Sequence, residues 1–321
     1  MKDLGNAPAA LVVIDDAQAT QRVDNFLLRT LKGVPRSHVY RLLRGGEVRV
    51  NSRRVAATYR LQPGDRVRIP PLRRPTGARR PVPTAPDPGF PTVFEDDALL
   101  VIDKPAGVAV HGGSGVSFGV IERLRAAHPQ ARFLELAHRL DRETSGLLVL
   151  AKKRSALVRL HAALREGRVT KRYWTLVKGA WTRPPSSEVA LPLRKHVTAA
   201  GERRVSVERG GLASRSRFRL IRRLGEFSLL EATLETGRTH QIRVQLAHLG
   251  FPIAGDDKYG DFELNRQLAK RGLKRMFLHA AELAFDHPQT GARIALEAPL
   301  PAELAGFLDR AQVSAADAPT V

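Results

Sequence analysis

The sequence predicts an α+β protein: a large domain built on a mixed, largely antiparallel sheet, preceded by a small αα-β module. Three observations carry this expectation. Beyond residue 92, strand-like segments succeed one another without the regular crossover helices that a doubly wound parallel sheet requires. Between residues 21 and 70, two short helical patterns lead into two short alternating segments. Residues 71–91 hold seven prolines and almost no apolar periodicity, the composition of a semi-rigid linker.

Each element has a local cause. Residues 1–20 read as a loose leader with a short strand at Leu11–Ile14. Val23, Phe26, Leu27 and Leu31 share one helical face, and Gly33 and Pro35 stop that helix. Ser37 is placed to cap a second helix with Val39, Leu42 and Leu43 inward, closed by Gly45 and Gly46. Val48 and Val50 alternate with charge, Asn51-Ser52 and Pro63-Gly64-Asp65 are turns, and Arg66–Ile69 is an alternating strand. In the large domain, taken as 92–311, strands are expected at Thr92–Phe94, Leu99–Asp103, Phe133–Ala137, Gly146–Ala151, Arg172–Val177, Ser214–Ile221, Phe227–Thr236 and within 276–300. Helices are expected at Phe118–Ala127, at Ser155–Glu166, around Ile242–Leu249 ahead of Gly250, and over 301–311. Residues 312–321 read as a disordered tail.

Charge bounds the function. Lys and Arg number 53 against 32 Asp and Glu, a net +21. Residues 21–74 alone hold 14 Lys/Arg and 3 Asp/Glu, a net of +11, so about half of the excess lies in the small module. An excess this large makes a polyanion the expected partner. Arg36, Arg41, Arg44, Arg49, Arg53 and Arg54 fall on the second helix and the strand region after it, a face suited to phosphate contacts. The chain has no cysteine, which excludes disulfides, thiolate metal sites and the cysteine nucleophile of RNA methyltransferases that attack pyrimidine C6. Met1–Ala10 lacks the apolar run of a signal peptide, and no apolar stretch is long enough to span a bilayer. A cytoplasmic protein without a membrane partner is expected, with a monomer as the default state.

The chemistry-bearing segment is His138–Gly146, a charged run between two apolar strand patterns. It sets one carboxylate, Asp141, among basic and hydroxyl groups. The run HRLDRETSGLLVLAK, His138–Lys152, resembles the signature of the pseudouridine synthases related to the large-subunit ribosomal RNA synthases A, C and D. KRYWTLVKG, Lys171–Gly179, resembles that family's tyrosine motif, and TGRTHQIRV, Thr236–Val244, its arginine motif, in the expected order. The basic module at 21–70 resembles the S4 RNA-binding fold. KGVPRSHVYRLLRGGEVRVN and VHGGSGVSF look most like the synthase C branch. Gln245 departs from the pattern, standing where many relatives have His.

The resemblance implies isomerisation of uridines in 23S ribosomal RNA to pseudouridine; the synthase C branch implies U955, U2504 and U2580. By the same carry-over Asp141 is the essential carboxylate, acting as a nucleophile or as the group that releases the base and shuttles a proton. Arg243 matches its ion-pair partner, which keeps a buried carboxylate from being left unpaired. Tyr173 matches the tyrosine that packs on the base, and Arg139 the side chain that fills the space left by a flipped nucleotide. His138 is read as orienting the loop. The product is an isomer of the substrate, so no cofactor, metal or nucleotide is expected; the chain has no GxxxxGK, strand-linked GxGxxG or HExxH. Gly112–Gly115 is glycine-rich without the P-loop lysine and reads as a loop near substrate. Three other readings stay open: a D-type synthase with another ribosomal site, a non-catalytic S4-type ribosome-assembly protein, and a glycosidase-like hydrolase pairing Asp141 with a second carboxylate such as Glu143.

Overall fold

A computed structural model describes residues 9–16, 18–31, 34, 36–71, 89–112, 118–198 and 201–316. The chain falls into two compact units, the first made of residues 1–84 together with Lys153–Ser155 and the second of the rest.

The first unit contains β1 (Ala10–Val13), α1 (Val23–Thr30), α2 (Arg36–Arg44), β2 (Arg49–Val50) and β3 (Arg66–Ile69). Its antiparallel sheet has the order β1-β3-β2. The apolar positions read from the sequence, among them Val23, Phe26, Leu27, Leu31, Val39, Leu42, Leu43, Val48 and Val50, form one buried cluster. Burying aliphatic side chains of this size stabilises by roughly 1.5–3 kcal/mol each before ordering costs. Asp24 is buried inside this unit, where Arg22 (2.6 Å) and the Tyr40 hydroxyl (2.9 Å) satisfy it and so tie α1 to α2. Asn51 and Ser52 form the turn with φ of 48° and 66°; the Asn51 side chain holds the Arg66 amide and Asp65.

Two expectations need correction here. The stretch taken as leader belongs to this unit from Ala10 onward: β1 pairs with β3 from Ala10↔Ile69 to Val13↔Arg66, and Ile14 and Ala19 are buried with the core. An edge strand of four residues carries too weak a local signal to show its partner, which lies more than fifty residues downstream. Ser37 is not a cap but lies inside α2, which starts at Arg36. Gly33 and Pro35 lie outside the described residues, as does most of the 71–91 linker.

The second unit is built on an eleven-stranded mixed sheet. In chain order it runs β4 (Thr92–Glu95), β5 (Leu99–Lys104), α3 (Val120–Ala127), β6 (Glu135–Leu136), β7 (Ser145–Ala151), α4 (Arg154–Arg165), β8 (Thr170–Lys178), β9 (Ser186–Val197), β10 (Arg203–Val207), β11 (Leu212–Leu224), β12 (Phe227–Leu234), α5 (Gln241–His248), α6 (Phe262–Lys270), β13 (Leu278–Asp286), β14 (Arg293–Glu297) and α7 (Ala302–Ala316). The strand order is β10-β9-β11-β12-β8-β13-β7-β5-β4, with β14 beside β13 and β6 beside β7. All these pairings are antiparallel except β7 with β13, so the α+β class and the mixed sheet are as expected.

The parallel pair matters for the site. β13 runs beside β7 only at His279↔Ser145 and Ala280↔Gly146, and beside β14 from Glu282 onward. Gly146, at φ 109°, lies so near that a Cβ there would stand 2.2 Å from the Ala280 carbonyl oxygen. The close approach fixes where β7 begins, four residues after Asp141. Every residue of β7 is buried, which is why its sequence is a continuous apolar run instead of an alternation.

Three elements were not expected: β9, β10 and α6. Pro192 interrupts β9, and β10 is short and charged, so neither shows a clean strand period. α6 is capped by Asp261, whose side chain accepts from the Leu264 amide, but it buries only Leu264 and Leu268. Of the expected strand at Phe133–Ala137 only Glu135–Leu136 pairs; Phe133 and Leu134 pack into the core without a ladder. α7 runs on to Ala316, beyond the expected end at 311, because no Gly or Pro intervenes to break it. Residues 317–321 lie outside the described residues.

Candidate active site

Asp141 occupies the loop between β6 and β7, and the fold brings α5 to it. Arg243 Nη1 lies 3.3 Å from Asp141 Oδ2 across 102 residues of chain. The same guanidinium is clamped from behind by Asp256, through Nε to Oδ2 at 2.8 Å and Nη2 to Oδ1 at 2.7 Å. This two-point pairing orients the planar cation, so that its remaining nitrogen faces Asp141. Arg243 and Asp256 are both buried. Burial opposes the charge on Arg243, but the hydrogen bonds and charge of Asp256, with Asp141 behind them, outweigh it and hold the guanidinium above its ordinary range. Burial likewise opposes the charge on Asp256, and Arg243 with two backbone amides keeps its carboxyl below the usual range. Asp141 itself keeps 19% of its side chain exposed, so it can meet a ligand.

A cavity of about 430 Å³ opens on this pair. Asp141, Tyr173, Arg243, Arg139, His138 and His240 all line it. Tyr173, on β8, is buried, and burial with the nearby Asp141 charge raises its phenol well above the ordinary value. It therefore stays protonated at neutral pH and offers a flat face and a hydroxyl, not a phenolate. Asp141, Arg139, His240 and Arg243 also line an adjoining cavity of about 690 Å³, which takes in His111, Arg142, Arg203 and Lys258. Asp141 thus stands between a pocket with an aromatic wall and a groove with several cations. Arg139 is exposed at the margin of both.

The loop carrying Asp141 is gripped from two sides. The buried Lys104 ammonium donates to the carbonyls of Pro105 (2.7 Å), Val108 (2.9 Å) and Arg142 (3.1 Å). Burial, reinforced by Arg275, pushes Lys104 down to about 7. Arg275 donates to Ser145 Oγ at 2.7 Å and reaches the Glu143 carbonyl. The Ser145 hydroxyl meets His279 Nδ1 at 2.9 Å, and His279 Nε2 meets the Ala298 carbonyl at 3.1 Å. Burial takes His279 down to about 4, so it is neutral and links β7, β13 and the end of β14 without charge. His138 Nε2 accepts from the Val149 amide, and burial with Lys171 lowers it to about 4 as well. That is the geometry of a residue orienting the loop.

Sequence reading missed Lys104, Asp256, Tyr259, Arg275 and His279. Lys104 and Asp256 carried the only available signal, a charged residue in or beside an apolar segment. Gln245 sits on the far side of α5, where its amide donates to Ser214 Oγ at 2.9 Å and its oxygen finds no partner among the described residues. Of the glycine-rich loop only Gly112 is described, and it lines the second cavity. Among the described residues no three His, Asp or Glu side chains gather as a metal-ligating group. No helix there is long and apolar enough to cross a membrane.

In the first unit Arg41, Arg44, Arg49 and Arg53 are exposed. Arg41 meets His38 at 2.9 Å, and Arg49 donates to the Gly46 carbonyl. Arg36 opens α2, and its side chain lies outside the described set.

Residues 98–248 match the RNA pseudouridylate synthase family, and residues 21–67 match the S4 domain. The ribosomal large subunit pseudouridine synthase C of Pasteurella multocida (strain Pm70) is 48% identical over 307 residues, covering 94% of this chain and 94% of that protein. The synthase of the same name from Escherichia coli (strain K12) is 51% identical over 300 residues, covering 90% and 92%. The chain belongs to the RNA pseudouridylate synthase family. It is therefore an RNA pseudouridine synthase, an isomerase, and the expected likeness to the synthase C branch is borne out. The solved structure of human RNA pseudouridylate synthase domain containing 4 superposes with a TM-score of 0.56 at 25% identity, over 69% of this chain and 93% of that one. Human RNA pseudouridylate synthase domain containing 1 gives 0.56 at 23% identity and shows the same fold for this synthase.

Proposed function

We propose that this synthase isomerises uridines of 23S ribosomal RNA, with Asp141 as the essential carboxylate. The observation that carries the reading is the Asp141–Arg243 pair on the wall of a cavity that Tyr173 also lines. A target uridine flips out of its stack at a cost of roughly a few kcal/mol. Its ring enters beside Tyr173, and Arg139 takes the vacated place. Asp141, paired with Arg243, then either attacks the sugar or promotes loss of the base. The base turns and rebonds through C5, the C5 proton leaves, and N1 gains one. Tyr173 packs on the ring and relays that proton through its hydroxyl. The isomerisation balances without a cofactor.

The resemblance to the synthase C branch implies the finer substrate, U955, U2504 and U2580, and the relatives that carry that name support the branch. Mapping pseudouridine in 23S ribosomal RNA from cells lacking the gene tests this. Loss at those three positions is expected; loss at another ribosomal uridine supports a D-type specificity, and an unchanged map ends the proposal. A cytoplasmic monomer is the form proposed. Glu143, the carboxylate that a hydrolase would need, lines only the adjoining groove.

The S4 unit is proposed to hold RNA phosphates through Arg36, Arg41, Arg44, Arg49 and Arg53. Replacing both Arg41 and Arg44 by Glu is expected to weaken RNA binding by about 10-fold or more and to flatten its salt dependence, because each phosphate contact releases counterions. Turnover at saturating RNA should hold. Unchanged affinity in a filter-binding titration would remove those two residues from the interface.

A further inference from the structure

His240 is the non-glycine residue beside Asp141 with the least ordinary backbone. It caps α5 at φ 54° and ψ 24°, in the left-handed region that glycine enters without cost. Its side chain does not cap the helix. Instead Nδ1 lies 2.8 Å from the Tyr259 hydroxyl, and Nε2 lies 3.9 Å from Asp141 Oδ1. The Tyr259 oxygen already accepts from the Val205 amide at 3.0 Å, and its own proton is available to His240 Nδ1. In the tautomer where Tyr259 donates, the ring proton sits on Nε2, the nitrogen facing Asp141. Tyr259 also lies under the Arg243 guanidinium, 5.2 Å from its ring centre. One tyrosine thus braces both groups that approach the carboxylate: Arg243 on Oδ2 and His240 on Oδ1.

We propose that His240, aimed by Tyr259, is a positioning residue for Asp141, whose Nε2–H closes onto Oδ1 as substrate seats. The inference rests on the reading of Asp141 as the essential carboxylate. Around the imidazole stand Asp141 from the β6–β7 loop, Arg243 from α5, and Asp256, Lys258 and Tyr259 from the segment before α6. Glu202 and Arg203, from the β9–β10 hairpin, line the same groove, and Glu202 pairs with Lys258 at 2.8 Å. Burial lowers His240; Arg243 and Lys258 add to that, and Asp141 and Asp256 oppose it. The residue is neutral at neutral pH. In acid it becomes an imidazolium whose ion pair with Asp141 damps the carboxylate, so the rate falls as pH drops through its titration.

Single-turnover tritium release from RNA carrying 5-tritiated uridine tests this, with RNA affinity and thermal midpoint measured alongside, between about pH 5 and 8. Tyr259→Phe keeps the ring under Arg243 and removes only the hydroxyl. His240→Asn retains an N–H donor, and His240→Ala does not. Tyr259→Phe and His240→Ala are expected to slow the single turnover by about 10- to 100-fold, the scale of a small misplacement of a reacting group. RNA affinity should stay within about threefold, because phosphate contacts dominate it. His240→Asn should recover part of the rate, and both His240 variants should lose the acid limb that His240 is expected to give the wild type. Rates within about twofold of wild type in both Tyr259→Phe and His240→Ala would overturn the proposal. So would an acid limb unchanged in His240→Ala, or a loss seen only in the thermal midpoint. An active wild type and an inactive Asp141→Asn in the same assay secure the underlying reading separately.

Discussion

Asp141→Asn is expected to reduce tritium release from 5-tritiated uridine RNA by at least about 10⁴-fold, the scale seen when an essential catalytic carboxylate is removed. The exchange keeps the shape of the side chain and removes its charge. Both routes open to Asp141, attack at the sugar and promotion of base loss, need an anionic oxygen, so neither survives. The fold should survive. Arg243 keeps its two-point pairing to Asp256, and no buried cation is left alone. RNA affinity should change by no more than a few fold, because it is dominated by phosphate contacts. Rapid-quench measurement of one turnover, with affinity measured separately, reads the two quantities apart. Residual turnover near that of the wild type would end the assignment, and an affinity loss matching the rate loss would end the separation of binding from chemistry.

Asp256→Ala should have the largest effect on stability. It strands the guanidinium of Arg243 in a buried site, where the carboxylates left near it are Asp141 at 3.3 Å and the exposed Asp257 at 3.5 Å. Breaking a buried ion pair from one side costs roughly 3–5 kcal/mol. For a domain of this size that is about a 10 °C fall in the unfolding midpoint. Activity should drop too, since the freed guanidinium no longer holds one orientation toward Asp141. The pH dependence has a definite sign. The folded Asp256 titrates below the unfolded value, so its contribution is present above the ordinary aspartate range and is lost as the pH falls through the folded value. Wild type and variant should therefore converge in stability in acid. A variant with the wild-type midpoint at neutral pH would show that Arg243 does not depend on this clamp.

The helices and central strands were legible because their apolar period is strong. Val23, Phe26, Leu27 and Leu31 could only be one face of a helix, and Gly146–Ala151 only a buried segment. β9, β10 and α6 were not, because proline, charge and a narrow apolar stripe weaken the period in each. Within the site, Asp141, Tyr173, Arg243 and Arg139 were named from three motifs. Tyr259, Asp256 and Arg275 were not, since nothing adjacent in sequence marks a tyrosine that reaches His240 or an arginine that reaches Ser145.

Composition, apolar period and motif order, all properties of neighbouring residues, were enough to point to a basic S4 unit and an α+β synthase domain, and the family resemblance of one motif to single out Asp141 as the carboxylate proposed to react. The tertiary structure alone decided how that carboxylate is held: Asp256 turning Arg243 toward it, Lys104 and Arg275 gripping its loop, and Tyr259 aiming His240 at its other oxygen. Hydrogen bonds and ion pairs act over about 3 Å of space, whatever the separation along the chain. Their partners therefore emerge only when the sheet closes.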